Sequence, residues 1–287
     1  MPDDIKSFAR RVRHKIRPLP PQDSYPFISG DSYRLRCDVD MSNYGVNLDK
    51  VVSNLDPNTP HYIFVGGQSE AIFLLDHLND NSCRANWTLV FHNRDIPPDE
   101  EVLFPLSRRV RRIYAEGWLG SLEIASPIPA GLENHSKLRN GVTDDWEKQA
   151  RLANAQRYRK IAVFASFNSQ NNISEREGIS NIFLGLDSSF IPRSFLNPMQ
   201  YRKVLLNSRY VVSPPGHGPD CHRTWEAIYS GAIPIVLERA WPFQHISLPV
   251  LVVKDWKDAV NYISEFPNPQ TPDVDPVQIW NTFQVAI

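Results

Sequence analysis

Hydrophobic and polar positions alternate along this chain with the periods of short strands and helices. Runs rich in β-branched and aromatic residues predict strands over 61–65, 87–91 and 111–115, with a fourth over 121–125. Between the first two runs, apolar residues at helical spacing predict a helix over 69–78. Strands separated by helices favour parallel pairing, so this half predicts a parallel sheet with helices on both faces.

The pattern restarts after a polar stretch, 132–159, where we place a domain boundary. The second half predicts strands over 161–165, 210–213, 233–236 and 250–253, and helices over 174–184, 198–207, 221–230 and 276–287. The simplest interpretation is an α/β protein with two Rossmann-like domains, 23–150 and 151–287, that face each other across a cleft.

The first 22 residues form a basic leader that differs from the rest of the chain. Ile5, Phe8, Val12 and Ile16 lie roughly on one helical face of a basic stretch that prolines then end. We expect a solvated leader helix, and the alternative is a peripheral membrane contact through anionic lipids.

Composition is that of an ordinary globular protein, with 41% hydrophobic and 22% charged residues among 287. The formal net charge of -1 disfavours a dedicated nucleic-acid binder, so no nucleic-acid partner is expected. No apolar run approaches the roughly 20 residues that span a bilayer, and no signal peptide is visible. Three widely separated cysteines, Cys37, Cys83 and Cys221, indicate a reducing compartment. We therefore expect a cytoplasmic protein, with the inner membrane face as the alternative site for the leader.

The most informative segment is 213–236, which predicts a strand, a glycine loop, a helix start and another strand. In open α/β sheets, ligands bind beyond the carboxyl ends of the strands. Gly216 and Gly218 let a ligand approach the backbone closely, and a helix N-terminus offers free N–H groups to an anion. Ser213 ends the strand, and Asp220 is a candidate N-cap residue.

Three polar residues share one face of the predicted helix: His222, Arg223 and Glu226. A cation beside a helix N-terminus suits a diphosphate, and a carboxylate one turn further suits ribose hydroxyls. The alternative is a helix salt bridge between Arg223 and Glu226. The glycine loop upstream favours nucleotide binding.

This segment resembles the donor-binding segment of exostosin-like glycosyltransferases, which carry an Arg, an acidic residue and then Gly-x-x-Pro-Val/Ile. Here Arg223, Glu226, Gly231 and Pro234 provide that pattern, and Glu226 with Gly231 is similar to the nucleotide-ribose motif of GT-B glycosyltransferases. The resemblance is strong over residues 205–256. It is weaker over residues 28–134, where the sequence is similar to bacterial exostosin-family proteins.

The resemblance implies a GT-B enzyme of polysaccharide biosynthesis, with an acceptor-side first domain and a nucleotide-sugar-binding second domain. It would transfer sugar with inversion, without a metal, from a nucleotide-sugar donor, expected to be a UDP-sugar. The acceptor would be a hydroxyl of a glycan or lipid-linked glycan, and no further cofactor is expected. The alternatives are a nucleotide-sugar epimerase or hydrolase on the same fold, and a non-catalytic partner subunit.

Inverting transfer needs a general base on the side opposite the leaving group, hence from the first domain. Asp95, at the end of the 87–91 strand, is the first candidate, and Asp31 and Glu133 are the others. The alternative for Asp95 is a loop cap before the prolines that follow it.

In the second domain, Ser166, Asn168 and Arg176 follow the 161–165 strand and would contact the phosphates or the sugar. Helix capping is the alternative for these residues. The triplet Asp38-Val-Asp40 could hold a divalent metal, but such triplets are common by chance. We therefore predict no metal ligands.

Overall fold

The computed structural model describes residues 19–42, 47–80, 84–94, 98–137, 140–156 and 158–283. These residues form an α/β protein with two parallel five-stranded sheets, a pattern consistent with a two-domain Rossmann-like fold. The first half contains α1 (Gly30–Arg34), β1 (Val39–Asp40), α2 (Leu48–Val52), β2 (His61–Val65), α3 (Gln68–Asp80), β3 (Trp87–Phe91), α4 (Glu100–Ser107), β4 (Arg112–Glu116) and β5 (Ser126–Ile128).

Strands of the first sheet lie side by side in chain order, β1-β2-β3-β4-β5. Each connection between neighbouring parallel strands is a right-handed crossover, and all of them run toward the same edge of the sheet. The connecting helices therefore lie on one face of the sheet. Ile63 and Leu89 on that face pack with Leu74 of α3 and Leu103 of α4. The connecting helices α3 and α4 therefore cover one face of this sheet, and the other face shares a cluster with Tyr33 of α1.

The second half begins with a helix that spans the linking region and continues into the second sheet. It contains α5 (Thr143–Ala155), β6 (Ile161–Phe164), α6 (Ile173–Arg176), α7 (Ile179–Ile182), β7 (Ser189–Phe190), α8 (Pro198–Asn207), β8 (Ser208–Val212), α9 (His222–Tyr229), β9 (Ile233–Leu237), β10 (Leu251–Val253), α10 (Trp256–Glu265) and α11 (Pro276–Thr282).

The second sheet has the order β10-β9-β8-β6-β7, so the chain steps from β6 to one side and then crosses to β8 on the other. This reversal is the topological switch point of a doubly wound sheet, where ligand crevices open beyond the carboxyl ends of the strands. Helices α7 and α10 pack on one face and α8 and α9 on the other. The fold thus places a crevice at the ends of β6 and β8.

A single hydrophobic layer lies between the two sheets and belongs to both halves. Phe64 and Val90 of the first sheet and Phe164 and Val211 of the second belong to one buried cluster, which also contains Trp225 of α9. The inner face of each sheet is thus buried against the same layer, and burial of apolar area stabilises the two halves together.

Residues near both ends of the described chain close this layer. Trp280 of α11 stacks on Tyr33 of α1 with ring centroids 5.8 Å apart, and the Arg36 guanidinium lies 4.6 Å from the Trp280 ring. Between the halves, the Ile28 backbone N–H donates to the Tyr229 hydroxyl at 3.1 Å. The last helix of the second half therefore packs on the first half.

Most predicted elements are confirmed to within a few residues, and two are wrong. Residues 121–125 form a turn, and the strand follows as β5. The predicted helix over 174–184 is two short helices, because Gly178 between them has a φ of 74°. Helix 276–287 is α11, which ends at Thr282.

The predicted domain boundary between residues 150 and 151 falls inside α5. Of the predicted basic leader, residues 1–18 lie outside the described residues, as do 284–287 of the last predicted helix. No helix in the described part of the chain is long and apolar enough to cross a membrane.

Replacing Tyr229 by Phe removes the acceptor of the buried Ile28 N–H. We expect Tyr229→Phe to lower the free energy of unfolding by about 1–3 kcal/mol, because an unsatisfied buried donor keeps its desolvation penalty. Urea denaturation followed by circular dichroism measures this. The control is Tyr158→Phe, since the Tyr158 side chain is exposed; equal midpoints for the two variants would contradict the assigned role of the bond.

Candidate functional site

A cleft of about 340 Å³ lies between the two halves, at the carboxyl ends of strands from both sheets. Glu116 at the end of β4 and Glu133 after β5 line it from the first half. Ser166 after β6 and Gly216 after β8 line it from the second half, which is the switch point of that sheet. The strand order therefore accounts for the place of the cleft.

Nine of the predicted site residues line this cleft: Glu133, Ser166, Asn168, Arg176, Gly216, Gly218, His222, Arg223 and Glu226. Their predicted roles remain predictions, and only their common location is a structural finding. They come from four separate parts of the chain, so strand-end reasoning identified residues that the fold brings together.

Two predicted residues, Ser213 and Asp31, lie elsewhere, and a third is not described. Ser213 is buried behind the loop, with its Oγ 2.8 Å from the Thr224 hydroxyl oxygen, and it supports the start of α9. Asp31 is buried in α1, and its Oδ2 accepts from the His135 backbone N–H at 2.9 Å. Asp95 lies outside the described residues.

One wall of the cleft is cationic. The Arg176 guanidinium donates to the backbone carbonyls of Pro214, Pro215 and Asn168, and it thereby holds the glycine loop after β8. Burial, together with the charge of nearby Arg223, lowers the pKa of Arg176. The guanidinium is therefore a buried positive charge that is fixed in place by the loop it stabilises.

Arg223 is the second cation of this wall. The Arg176 and Arg223 guanidinium carbons lie 5.9 Å and 5.6 Å from the centre of the Phe167 ring. Nε of Arg223 is buried without a hydrogen-bond partner in the described structure. The alternative salt bridge to Glu226 is not formed, since the Glu226 carboxylate accepts instead from the Tyr201 hydroxyl at 2.7 Å. Two positive charges thus face the cleft with no described carboxylate in salt-bridge contact.

Burial raises the pKa of the Glu226 carboxyl, and burial beside Glu226 raises the pKa of Tyr201 well above its usual value. The Tyr201 hydroxyl is therefore protonated and donates to Glu226. One carboxylate oxygen of Glu226 is held in this way, which fixes the side chain at the edge of the cleft.

His222 connects the two halves at the start of α9. Its Nδ1 lies 2.8 Å from the Gly131 carbonyl oxygen, which only accepts, so Nδ1 carries a proton. Burial lowers the pKa of His222, but the bond to Gly131 and three nearby glutamates outweigh burial and raise the pKa overall. The imidazole beside Arg223 therefore gains a proton more readily than a free histidine, and this charged form adds to the positive potential of the wall.

Asp220 makes the second connection between the halves, and its predicted role as N-cap is wrong. Cys221 occupies the N-cap position, one residue later. Asp220 Oδ2 accepts from the Ala130 backbone N–H and from Trp225 Nε1, both at 2.8 Å. Burial raises the pKa of this carboxyl to about 7. The prediction failed because the partner that satisfies Asp220 comes from the other half of the chain.

Sequence reasoning missed Glu116, Phe167 and Tyr201. Glu116 had a usable signal, because it directly follows the predicted strand 111–115, at the type of position that selected Asp95. Phe167 and Tyr201 had none, since a single aromatic residue in a strand-end loop or a helix more often packs in the core. The wall of the first half is therefore acidic, with Glu116 and Glu133 facing the two arginines.

The triplet that was considered for a metal lies in the first half. Asp40 forms an ion pair with Arg34, and Asp38 accepts from the Tyr62 backbone N–H at 2.8 Å. Both carboxylates thus have partners within the protein.

Stability should depend on pH through Asp220. An unfolded Asp titrates near 3.8 and the folded one near 7, so between these values the folded state binds the extra proton. The contribution of Asp220 to the free energy of unfolding is therefore largest at low pH and falls as pH rises from about 4 to about 7. We expect Asp220→Asn, which cannot titrate, to flatten this slope in urea midpoints measured from pH 4 to pH 8.

Glu226 and His222 also have raised pKa values and act in the same sense, so part of the slope should survive in Asp220→Asn. Asp187→Asn, a change of the same kind in an exposed loop, is the control. An Asp220→Asn slope equal to that of the wild type and the control would contradict the assigned cause.

No family model matches this chain, and no curated protein matches its sequence. The interpretation of the cleft therefore starts from its own geometry and from the motif in residues 213–236.

Proposed function

We propose that this chain is a GT-B glycosyltransferase that moves a sugar from a nucleoside-diphosphate donor, with UDP as the expected nucleotide, to a hydroxyl of a glycan or lipid-linked glycan. The two sheets, whose strand ends open into one cleft, and the exostosin-like motif in 213–236 support this proposal. Inversion and metal independence come from the resemblance.

The observation that carries the proposal is the pair Arg176 and Arg223. Both guanidinium groups face a cleft at the switch point of the second sheet, without a described carboxylate in salt-bridge contact. Burying charge without a counter-charge costs free energy, and a diphosphate would supply the missing negative charge. A ligand of this kind therefore explains why the cations lie where they do.

The remaining residues of the second half would hold the rest of the donor. His222 lies next to Arg223, and Nε2 of its doubly protonated form would donate to a phosphate oxygen, since Nδ1 donates to Gly131. Glu226, fixed by Tyr201, has a carboxylate oxygen for ribose hydroxyls. Gly216 leaves the backbone open, although a Cβ there would approach the Arg176 guanidinium to 2.9 Å. The glycine thus serves the arginine as well as the ligand.

Transfer requires stabilisation of the diphosphate as it leaves. Preorganised positive charges aimed at the leaving oxygens lower the barrier because they need no rearrangement during the reaction. Arg176 is preorganised by three carbonyl bonds, and Arg223 lies against the ring of Phe167. These two side chains would take the place that a divalent ion has in other transferases.

The base would come from the acidic wall of the first half. Among the predicted candidates, Glu133 lines the cleft, Asp31 is bonded to the 134–135 loop, and Asp95 lies outside the described residues. Glu133 is thus the candidate of that group for which the cleft offers direct support.

Arg223→Ala should weaken nucleotide binding. We expect UDP affinity to fall by about 1.5–3 kcal/mol, the scale of a hydrogen bond to a charged group. Isothermal titration calorimetry with UDP measures this, and Arg151→Ala, an exposed arginine on α5, is the control for the loss of charge. Equal UDP affinity of folded Arg223→Ala and wild type, or no UDP binding by the wild type, would contradict the proposal.

Activity should also survive a chelator. Because arginines would neutralise the diphosphate, we expect UDP release from UDP-sugars to proceed at an unchanged rate in EDTA. Release that stops in EDTA and returns with Mn²⁺ or Mg²⁺ would contradict metal independence. UDP release that no glycan acceptor accelerates beyond the rate with water alone would favour a hydrolase, and UDP binding without any turnover would favour a non-catalytic subunit.

A further inference from the structure

Glu116 ends β4 and faces the cleft from the wall opposite the arginines, although only 9% of its surface is exposed. Its Oε2 accepts from the Asn93 backbone N–H at 3.0 Å and lies 3.1 Å from Nδ1 of His92. Its Oε1 forms no hydrogen bond to any described residue. One oxygen of the carboxylate is therefore held, and the other is open to a ligand.

Glu116 and His92 form a dyad that one backbone N–H bridges. Nε2 of His92 lies 2.8 Å from the Pro129 carbonyl oxygen, which only accepts, so Nε2 carries a proton. The Asn93 backbone N–H donates to Nδ1 of His92 at 2.7 Å and to Oε2 of Glu116 at 3.0 Å. These bonds fix the imidazole beside the carboxylate, with Nδ1 and Oε2 3.1 Å apart.

The backbone around this dyad is built to hold it. Asn93 has a φ of 67°, in the left-handed region that asparagine tolerates better than most residues. Its Oδ1 accepts from Asn134 Nδ2 at 2.7 Å, and the absence of a side chain at Gly30 leaves the space, since a Cβ there would lie 1.7 Å from that oxygen. Unusual backbone held by surrounding contacts in this way is typical of functional sites.

We propose that Glu116 is the general base of the transfer and that His92, which binds the same Asn93 N–H as Glu116, is a positioning residue; this rests on the proposed function above. The acceptor O–H bond breaks and its proton goes to Oε1 of Glu116. The acceptor oxygen bonds to the anomeric carbon of the donor, and the bond from that carbon to the diphosphate breaks. Its electron pair stays on the diphosphate, which Arg176 and Arg223 hold.

Other acids of the cleft fit this role less well. Glu226 lies on the same helix as Arg223, on the side where the leaving group would be. Asp220 accepts three hydrogen bonds, from Ala130, Trp225 and Cys221. Glu133 has the right wall, but no described hydrogen bond fixes its carboxylate. Glu116 combines the right wall with an orientation fixed by the Asn93 N–H and an open Oε1.

Several titratable or charged groups face Glu116. The elements packed against Glu116 contribute four such groups: His92 after β3, Tyr33 of α1, and Asp220 and His222 at the start of α9. Glu133, Glu226 and the arginines face it across the cleft.

The test compares wild type, Glu116→Gln and Glu116→Asp. UDP affinity is measured by calorimetry, and UDP release from UDP-glucose, UDP-galactose and UDP-N-acetylglucosamine, with water as acceptor, is measured from pH 5 to pH 9. We expect Glu116→Gln to bind UDP with the affinity of the wild type. It should form UDP from the UDP-sugars about 10²–10⁴-fold more slowly, and the acid limb of its pH–rate profile should be lost. Glu116→Asp keeps a carboxylate, so it should be slower yet retain an acid limb.

His92→Gln tests the positioning role. It should lower kcat with an unchanged KM, because the imidazole that fixes Asn93 and the Glu116 carboxylate is lost while the donor-binding wall is intact. Glu123→Gln, an exposed carboxylate far from the cleft, is the control and should match the wild type.

Each other outcome counts against a specific part of the proposal. Wild-type turnover in Glu116→Gln, or a loss of turnover explained by lost UDP affinity, overturns the base assignment alone. The expected loss in Glu133→Gln or Asp95→Asn, with normal Glu116→Gln, returns the role to that carboxylate. Wild-type UDP binding without release from any donor overturns catalysis here, and no UDP binding overturns the proposed function itself.

Discussion

Two hydrogen bonds between the halves hold the cleft in its shape. Asp220 accepts from the Ala130 N–H, and His222 donates to the Gly131 carbonyl, each at 2.8 Å. The loop can reach both because Gly131 has a φ of 64°, and a Cβ there would lie 2.2 Å from the Ile28 carbonyl oxygen. The start of α9 is thus bonded to the loop after β5, and the side chains that follow on α9 face the first sheet at a fixed distance.

This arrangement separates charge across the cleft. The second half contributes the guanidinium groups of buried Arg176 and half-buried Arg223, and the first contributes the carboxylates of Glu116 and Glu133. Opposite charges held apart by the fold do not neutralise each other by direct contact, so each wall keeps its own preference for a ligand. A molecule with an anionic end and a neutral polar end would satisfy both walls at once.

Much of the site could be predicted from the sequence, because parallel strands place the residues after each strand at one edge. That rule identified Ser166 and Gly216 without any knowledge of the fold, and the polar face of the helix after the glycine loop identified Arg223. It could not supply contacts between distant parts of the chain, such as the bonds from Arg176 to Pro214 and Pro215, 38 and 39 residues later. These contacts decide which polar side chains remain open to a ligand.

The overall α/β pattern was also predictable, but the arrangement of the first sheet was not. Strands buried on both faces have continuous apolar runs, which do not reveal which face carries helices. The predicted strand over 121–125 failed for a local reason, because Trp118 Nε1 donates to the Ser121 carbonyl at 3.0 Å and stabilises a turn there. Leu122 in this turn is 57% exposed, so its apolar side chain gives the sequence the pattern of a buried strand although the residue is at the surface.

The layer shared by the two sheets limits how this architecture can be recombined. The chain passes from one half to the other at α5, but α11 returns to pack Trp280 on Tyr33 and Arg36 of the first half. A hybrid protein cut near residue 150 would lose these contacts, and it would expose Phe64 and Val90 unless its new half had a matching apolar surface. Exchange of one half for another therefore requires redesign of the buried layer between the sheets. Exchange of the loops around the cleft would leave this layer intact.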